Sequence, residues 1–384
     1  MRIKRLDILR SVAVLLVLVH HGAFIPNFTK VGWVGVDLFF VLSGFLISGL
    51  LYTEFKQLGA FRWGRFLIRR GLKIYPAFYA MILVTFLARR IIGSPGTIGP
   101  YLREIFFVQN YKLGVWQHTW SLGVEEHFYV LLPIFFLLLI RFSDNQKDPF
   151  ISLSWAFAFV AVSCLLFRVA TVYLTASAAF SPPMVTNPTH DRIDALFFGV
   201  LLGYFHHFHA ATIANFFEST ANRIYTGLLV AAALSCCFVF TRESHFLLTF
   251  GLTLLYLGFG GLLLMSLQIR DVLPLRLRGH MERLGTVCAA IGTYSYSIYL
   301  WHIPFQAFAP GVLRRLLHIR FGPVEQFLFY LAGSIVFGIL MAKAIEFPVL
   351  KLRDRLFPQS KAPPNELQSE PQMAATSIVP SGGA

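Results

Sequence analysis

The chain has 384 residues, 56% of them hydrophobic and 14% charged, with forty phenylalanines and a formal net charge of +14. A soluble globular chain carries roughly 25% charged residues, so this composition excludes a soluble domain and points to a polytopic membrane protein, with room for about ten spans joined by short loops. The positive charge reads as topology, because basic residues collect on cytoplasmic loops and near anionic headgroups; a nucleic-acid partner is not expected.

Apolar runs fall at residues 8–25, 32–53, 74–92, 122–140, 150–173, 191–209, 223–241, 246–267, 286–309 and 325–347. The predicted fold is therefore all-α, a transmembrane bundle of about ten spans. Most of the Lys and Arg residues fall on one side if the N-terminus is cytoplasmic, which favours an N-in, C-in arrangement in the inner (cytoplasmic) membrane. No cleavable signal peptide is expected, since the first apolar run carries Arg10, His20 and His21.

The first run holds the most informative pair. Ionisable residues inside a membrane helix are costly and tend to be functional. Arg10 and His21 are eleven residues apart, close to three helical turns, so they share one face about 16 Å apart along the axis. They cannot touch, but they can serve the two ends of one long ligand. Arg10 reads either as an arginine snorkelling to lipid phosphate or as an anion clamp. His21 reads either as a packing residue or as a general base. His20 lies about 100° around the helix from His21.

In the second run, Asp37 stands near the start. It serves a helix N-terminus or, facing the bundle, orients a histidine. Residues 54–73 mix basic and apolar residues at helical spacing, which predicts an interfacial helix. Its Arg65, Arg69, Arg70 and Lys73 are either positive-inside charge or a phosphate patch on the side of Arg10. Residues 94–119 predict a short outer loop with a partial helix.

The fourth run opens on His118-Thr-Trp-Ser121-Leu-Gly-Val-Glu125-Glu126-His127-Phe-Tyr129. Two adjacent carboxylates at the head of a span are hard to explain structurally. Ser121, Glu125 and Tyr129 are four residues apart and share a face. Arg192 and Asp194 open the sixth run and can pair within the bundle. In the ninth, Ser295, Tyr299 and His302 form one helical stripe, and its aromatics also suit an interfacial belt. The cysteines, Cys164, Cys236, Cys237 and Cys288, lie in apolar segments without ligand spacing, so neither a disulfide nor a metal is expected. Residues 1–355 are read as the membrane domain. Residues 356–384, polar and proline-rich, are read as a disordered cytoplasmic tail.

Taken in order, these stretches resemble the acyltransferase-3 family of integral-membrane O-acyltransferases. The matching residues are Leu6-Asp-Ile-Leu-Arg10 with His21, Gly35-Val-Asp37-Leu-Phe-Phe-Val-Leu-Ser43-Gly44-Phe-Leu46, Arg69-Arg70-Gly-Leu-Lys73-Ile-Tyr-Pro76, Thr119-Trp-Ser121-Leu-Gly123-Val-Glu125-Glu126, Arg192-Ile-Asp194-Ala-Leu196 and Ser295-Tyr-Ser-Ile-Tyr299-Leu-Trp-His302-Ile-Pro304. The chain departs from the family pattern at Lys73, Gly123 and His127. Lys73 keeps charge where the family has arginine but loses its bidentate fork.

The resemblance implies transfer of an acyl group, commonly acetyl, from cytoplasmic acyl-CoA to a hydroxyl of a cell-surface glycan or lipid-linked saccharide. On that expectation Arg10, Arg65, Arg69, Arg70 and Lys73 hold the acyl-CoA phosphates. His21 acts at the thioester, as general base or transient acyl carrier, with Glu125, Glu126 and Asp37 orienting and charge-balancing it. Ser295, Tyr299 and His302 line the acceptor side. An extracytoplasmic esterase-like domain, carried by some family members, is not seen in the sequence, so the membrane domain or a separate partner would complete acceptor transfer. The alternative from another class is a transporter or flippase for an anionic lipid-linked saccharide, which would show inverted repeats with broken helices at matching positions.

Overall fold

The computed structural model describes residues 3–22, 26–143, 145, 148–175, 180–268, 275–317 and 322–358, and these are helical with no strand among them. In chain order the helices are α1 (Lys4–Gly22), α2 (Pro26–Val31), α3 (Gly35–Leu58), α4 (Trp63–Ile91), α5 (Ile98–Ile105), α6 (Trp120–Arg141), α7 (Leu153–Leu174) and α8 (Pro183–Thr186). They continue with α9 (Thr189–Phe208), α10 (Ala210–Glu218), α11 (Thr220–Val239), α12 (Leu252–Gln268), α13 (Leu275–Thr293), α14 (Ser295–Leu317), α15 (Pro323–Met341) and α16 (Phe347–Leu356). A π-helical turn, Leu247–Gly251, leads into α12, and another, Ala342–Glu346, joins α15 to α16.

Among the described residues seven helical stretches are long and apolar enough to cross a membrane, or eight if the bent pair α9 and α10 counts as one. The predicted runs at 8–25, as far as Gly22, and 286–309 are also helical, but α1 carries Lys4, Arg5, Asp7 and Arg10, and α14 carries several polar side chains. The second of these runs is divided at Tyr294 between α13 and α14. The tail from residue 359 lies outside the described residues.

One expectation is corrected. Residues 54–73 do not form a separate interfacial helix. Gly59, in the left-handed region at φ 67°, caps α3, and α4 starts at Trp63 and continues through Pro76 to Ile91. The basic residues occupy the first turns of a spanning helix. Periodicity alone could not separate the two cases, because both are helical.

Helix α3 is the centre of the bundle: 72% of the apolar window in Thr29–Leu58 is buried, against 11% for α11. α3 and α9 pack backbone to backbone. A Cβ on Gly44 would come 1.9 Å from the Leu196 carbonyl oxygen, and one on Gly199 would come 2.3 Å from that of Val41. Small residues allow this approach where lipid gives helices little hydrophobic reason to associate. Two buried ion pairs meet on α9, one reaching α3 and the other α7. Arg192 Nη2 on α9 donates to Asp37 Oδ1 on α3 at 2.5 Å, with its guanidinium beside the rings of Phe40 and Trp120. Arg168 Nη2 on α7 donates to Asp194 Oδ2 at 2.9 Å and to Thr253 Oγ1 on α12 at 2.8 Å.

Removing one member of such a pair leaves a buried charge uncompensated, which costs about 3–5 kcal/mol. Asp37→Asn is expected to lower the thermal unfolding midpoint in detergent sharply. Asp37→Asn combined with Arg192→Gln is expected to recover much of that loss; equal destabilisation by the double variant would show that the pair is not what holds α3 to α9.

Candidate active site

The basic residues gather around one cavity of about 620 Å³, within the range of ligand pockets. Arg10 from α1 and Arg65, Arg69, Arg70 and Lys73 from α4 line it. Arg353 from α16 joins them, a residue that in sequence looked like ordinary positive-inside charge. The cations differ in their partners. Lys73 Nζ meets Glu346 Oε1 at 2.9 Å, and Ser297 Oγ donates to the other oxygen of that buried carboxylate at 2.7 Å. Arg69 pairs with Asp354 at 3.0 Å. Among the described residues no carboxylate lies within ion-pair distance of Arg65 or Arg70. Glu346 was missed in sequence although it is an acid inside the apolar run 325–347.

Of the two carboxylates of α6, Glu125 belongs to this cavity, and both are engaged by tyrosines rather than by His21. Tyr129 Oη donates to Glu125 Oε2 at 2.5 Å, one turn along the helix, and Glu125 lines the cavity. The Tyr75 hydroxyl donates to Glu126 Oε1. Adjacent helical residues point about 100° apart, so the pair serves two different tyrosines. Among the described residues neither makes a hydrogen bond to His21. Asp37 does not orient His21 either: it faces α9, where buried Arg192 requires a counterion. Ser295 and Tyr299, expected on an acceptor side, line the basic cavity; only His302 lies with His21.

Tyr299 is the link between the two regions. Its hydroxyl donates to the His118 carbonyl at 2.5 Å, which leaves it to accept from Ser121 Oγ at 2.7 Å. Its ring centroid lies 5.6 Å from those of both His118 and His302. Beyond it the histidines form a chain, with centroids 4.9 Å apart for His118 and His302, 5.0 Å for His302 and His21, and 5.0 Å for His21 and His20.

Carbonyl acceptors assign the tautomers. His302 Nδ1–H donates to the Tyr299 carbonyl at 2.5 Å, which leaves Nε2 as an acceptor. His21 Nδ1–H donates to the Val17 carbonyl at 3.0 Å and faces His302 Nε2 at 3.3 Å. His21 Nε2 therefore keeps its lone pair, and among the described residues it has no hydrogen-bond partner. Sequence reading proposed carboxylates as the orienting groups; a backbone carbonyl and a second histidine do this instead. Among the described residues no group of three or more His, Cys, Asp or Glu is arranged to hold a metal ion.

At the Gly22 end of α1, opposite the basic cavity, lies a second cavity of about 210 Å³. The rings of Phe305, Phe327, Phe329 and Tyr330 and the amides of Gln306 and Gln326 line it. Gln306 Nε2 also donates to the His21 carbonyl at 3.0 Å, which joins this cavity to the histidine chain.

The segment entering α6 is held by Glu104 of α5. Its Oε1 accepts from the backbone N–H groups of Val115 and Trp116 at 3.0 and 3.1 Å and from Thr119 Oγ1 at 2.8 Å. Burial pushes the Glu104 carboxyl up from 4.5 to about 7, against those three donors. The folded chain thus holds this proton more tightly than the unfolded one, so the stability it contributes is complete below pH 4.5 and is lost as pH rises to about 7. The unfolding midpoint is expected to fall across that window, and to fall less in Glu104→Gln. Superimposable pH profiles for the two proteins would contradict this.

A family model described as an acyltransferase domain matches residues 3–343. A peptidoglycan O-acetyltransferase, OatA, of Listeria monocytogenes is 26% identical over 366 residues, covering 90% of this chain and 55% of its own length. A Staphylococcus aureus protein, named provisionally as an O-acetyltransferase, is 25% identical over 391 residues, covering 90% of this chain and 57% of its own. A Bacillus subtilis protein, YrhL, named provisionally as a peptidoglycan O-acetyltransferase, is 27% identical over 332 residues, with coverages of 78% and 48%. The chain spans about half the length of these curated relatives. No solved structure matches it.

Proposed function

The chain belongs to the acyltransferase-3 family, with the acyltransferase domain over residues 3–343, and we infer that it is a multi-pass inner-membrane O-acetyltransferase acting on a hydroxyl of a cell-envelope glycan. The donor is cytoplasmic acetyl-CoA, and the Arg10 end of α1 faces the cytoplasm in a ten-span, N-in, C-in arrangement. The continuity of the basic cavity, Tyr299 and the histidine chain carries this reading. A cavity rich in guanidinium groups suits phosphates, and it reaches Tyr299, whose ring neighbours His302, the partner of the nitrogen base His21. The names of the relatives support a cell-wall glycan such as peptidoglycan as the acceptor.

In this mechanism Arg10, Arg65, Arg69 and Arg70 hold the donor phosphates, and the thioester arm runs along the cavity towards Tyr299. Lys73 contributes positive field rather than a direct ligand, because Glu346 and Ser297 hold it in place. The acceptor hydroxyl approaches from the aromatic cavity at the Gly22 end, where rings and amides suit a sugar. His21 Nε2 takes the hydroxyl proton as that oxygen bonds to the thioester carbonyl carbon. The C–S bond breaks, and His21 returns the proton to the leaving thiolate, giving free CoA and the O-acetyl ester. The Val17 carbonyl accepts the His21 Nδ1–H throughout, with His302 Nε2 beside it at 3.3 Å, so the transient imidazolium keeps a hydrogen-bond partner. A transient acyl group on His21 Nε2 would use the same atoms in two steps.

General-base catalysis contributes about 10²–10⁴-fold. His21→Ala is expected to slow CoA thiol release from acetyl-CoA in envelope membranes at least about a hundredfold, and to remove acetyl from the envelope glycan of a deletion strain complemented with the variant, read by mass spectrometry. His302→Gln is expected to give a smaller loss with the KM for acetyl-CoA unchanged. Wild-type acetylation by His21→Ala would end this proposal.

A further inference from the structure

At the mouth of the basic cavity, the first turns of α4 meet α16. Arg69 and Arg353 both line the cavity there, with side chains about one-seventh exposed. A single carboxylate oxygen, Asp354 Oδ1, lies between them. It accepts from Arg69 Nη2 at 3.0 Å and from Arg353 Nε at 2.9 Å, and Arg353 Nη2 lies 2.8 Å away in the same ion pair. Arg69 Nη1 also donates to the Phe357 carbonyl, so the end of α16 helps to fix the guanidinium. Two guanidinium groups converging on one anionic oxygen form the arrangement by which arginine holds phosphate.

The two anions on this rim differ in how firmly they are held. Glu346 is 1% exposed and keeps both oxygens engaged, by Lys73 and Ser297, so its displacement would strand a buried charge. Asp354 is 53% exposed and gains full hydration on leaving, and exposed ion pairs contribute little. Arg69 and Arg353 are thus paired with an anion that can be exchanged, and Lys73 with one that cannot.

We propose that Arg69 and Arg353 form a phosphate subsite for the nucleotide part of the donor, with Asp354 as an exchangeable counterion that swings into solvent when the phosphate enters. The ligand class is a phosphate ester joined to a long thioester arm, so α16, just beyond the end of the family match, completes the donor site. This rests on the acyl-CoA reading above. It makes Asp354 a competitor of the donor, which gives its removal an unusual sign: loss of an ion pair tightens binding.

The test is isothermal titration of the purified full chain with CoA and with pantetheine, which carries no phosphate. Asp354→Asn keeps the side-chain shape without the charge and is expected to bind CoA about five- to tenfold more tightly than wild type. Arg353→Ala is expected to bind it about tenfold more weakly, the scale of one charge-assisted hydrogen bond. Pantetheine binding is expected to be the same in all three proteins, which also reports an intact fold. Failure of the wild-type chain to bind CoA overturns the donor reading itself. CoA binding by wild type with no gain in Asp354→Asn, no loss in Arg353→Ala, or an equal change for pantetheine overturns the subsite alone. Lipid phosphate is the other source of this chemistry, so the titration is repeated in phosphatidylcholine and phosphatidylglycerol nanodiscs. The Asp354→Asn gain is expected in both; its disappearance in phosphatidylglycerol assigns the arginines to headgroups and overturns the proposal.

Discussion

Charge buried within an apolar bundle has to be paired, and the Arg192–Asp37 and Arg168–Asp194 bridges meet that constraint for the helices on which the candidate site is built. An ion taken out of water costs several kcal/mol unless a partner and further hydrogen bonds compensate. These two bridges therefore restrict how α3, α7, α9 and α12 can pack, since other arrangements would separate the partners. The close contact of Gly44 with α9 adds shape to that electrostatic requirement. With α3 and α9 fixed, α1 and α6 have a defined surface to lie against, and their histidines and carboxylates acquire positions.

Among the basic residues the same rule separates frame from function. Arg168 and Arg192 are buried and each closes an ion pair inside the protein, away from the basic cavity. Lys73 is intermediate: it lines the cavity but is held by Glu346. Arg65 and Arg70 line the cavity without a carboxylate in ion-pair reach among the described residues, and that excess of positive charge makes the cavity suit an anion. The histidine chain follows a related logic. Each tautomer is set by a backbone carbonyl, so no carboxylate is needed to leave His21 Nε2 basic.

Much of this was legible in the sequence. The all-helical class follows from ten apolar runs, and the basic cavity from cations at the same end of two of them. The roles given to the acids were less legible. Asp37, Glu125 and Glu126 looked alike, as carboxylates near apolar runs, yet one closes an ion pair with Arg192, one accepts from Tyr129 and one from Tyr75. Which partner each meets depends on neighbouring helices far away in sequence. That Ser295 and Tyr299 line the basic cavity while His302 lies with His21 was not legible for a related reason: a helical stripe shows that residues share a face, but not what the face meets. Arg353 and Glu346 were passed over because a single charge at the end of a run looks like topology until the helix opposite is known.

The sequence by itself determined the helical class, the placement of costly charges in apolar runs, and the spacing of Arg10 and His21 on one face. These are local properties, set by composition and by the 3.6-residue period of a helix. The tertiary structure alone decided that His21 is oriented by His302 and Val17, that Tyr299 joins the basic cavity to the histidines, and that α16 brings Arg353 and Asp354 to the cavity mouth. Those contacts join residues up to 285 positions apart. They arise because packing and charge pairing select one arrangement of the helices, which no local pattern encodes.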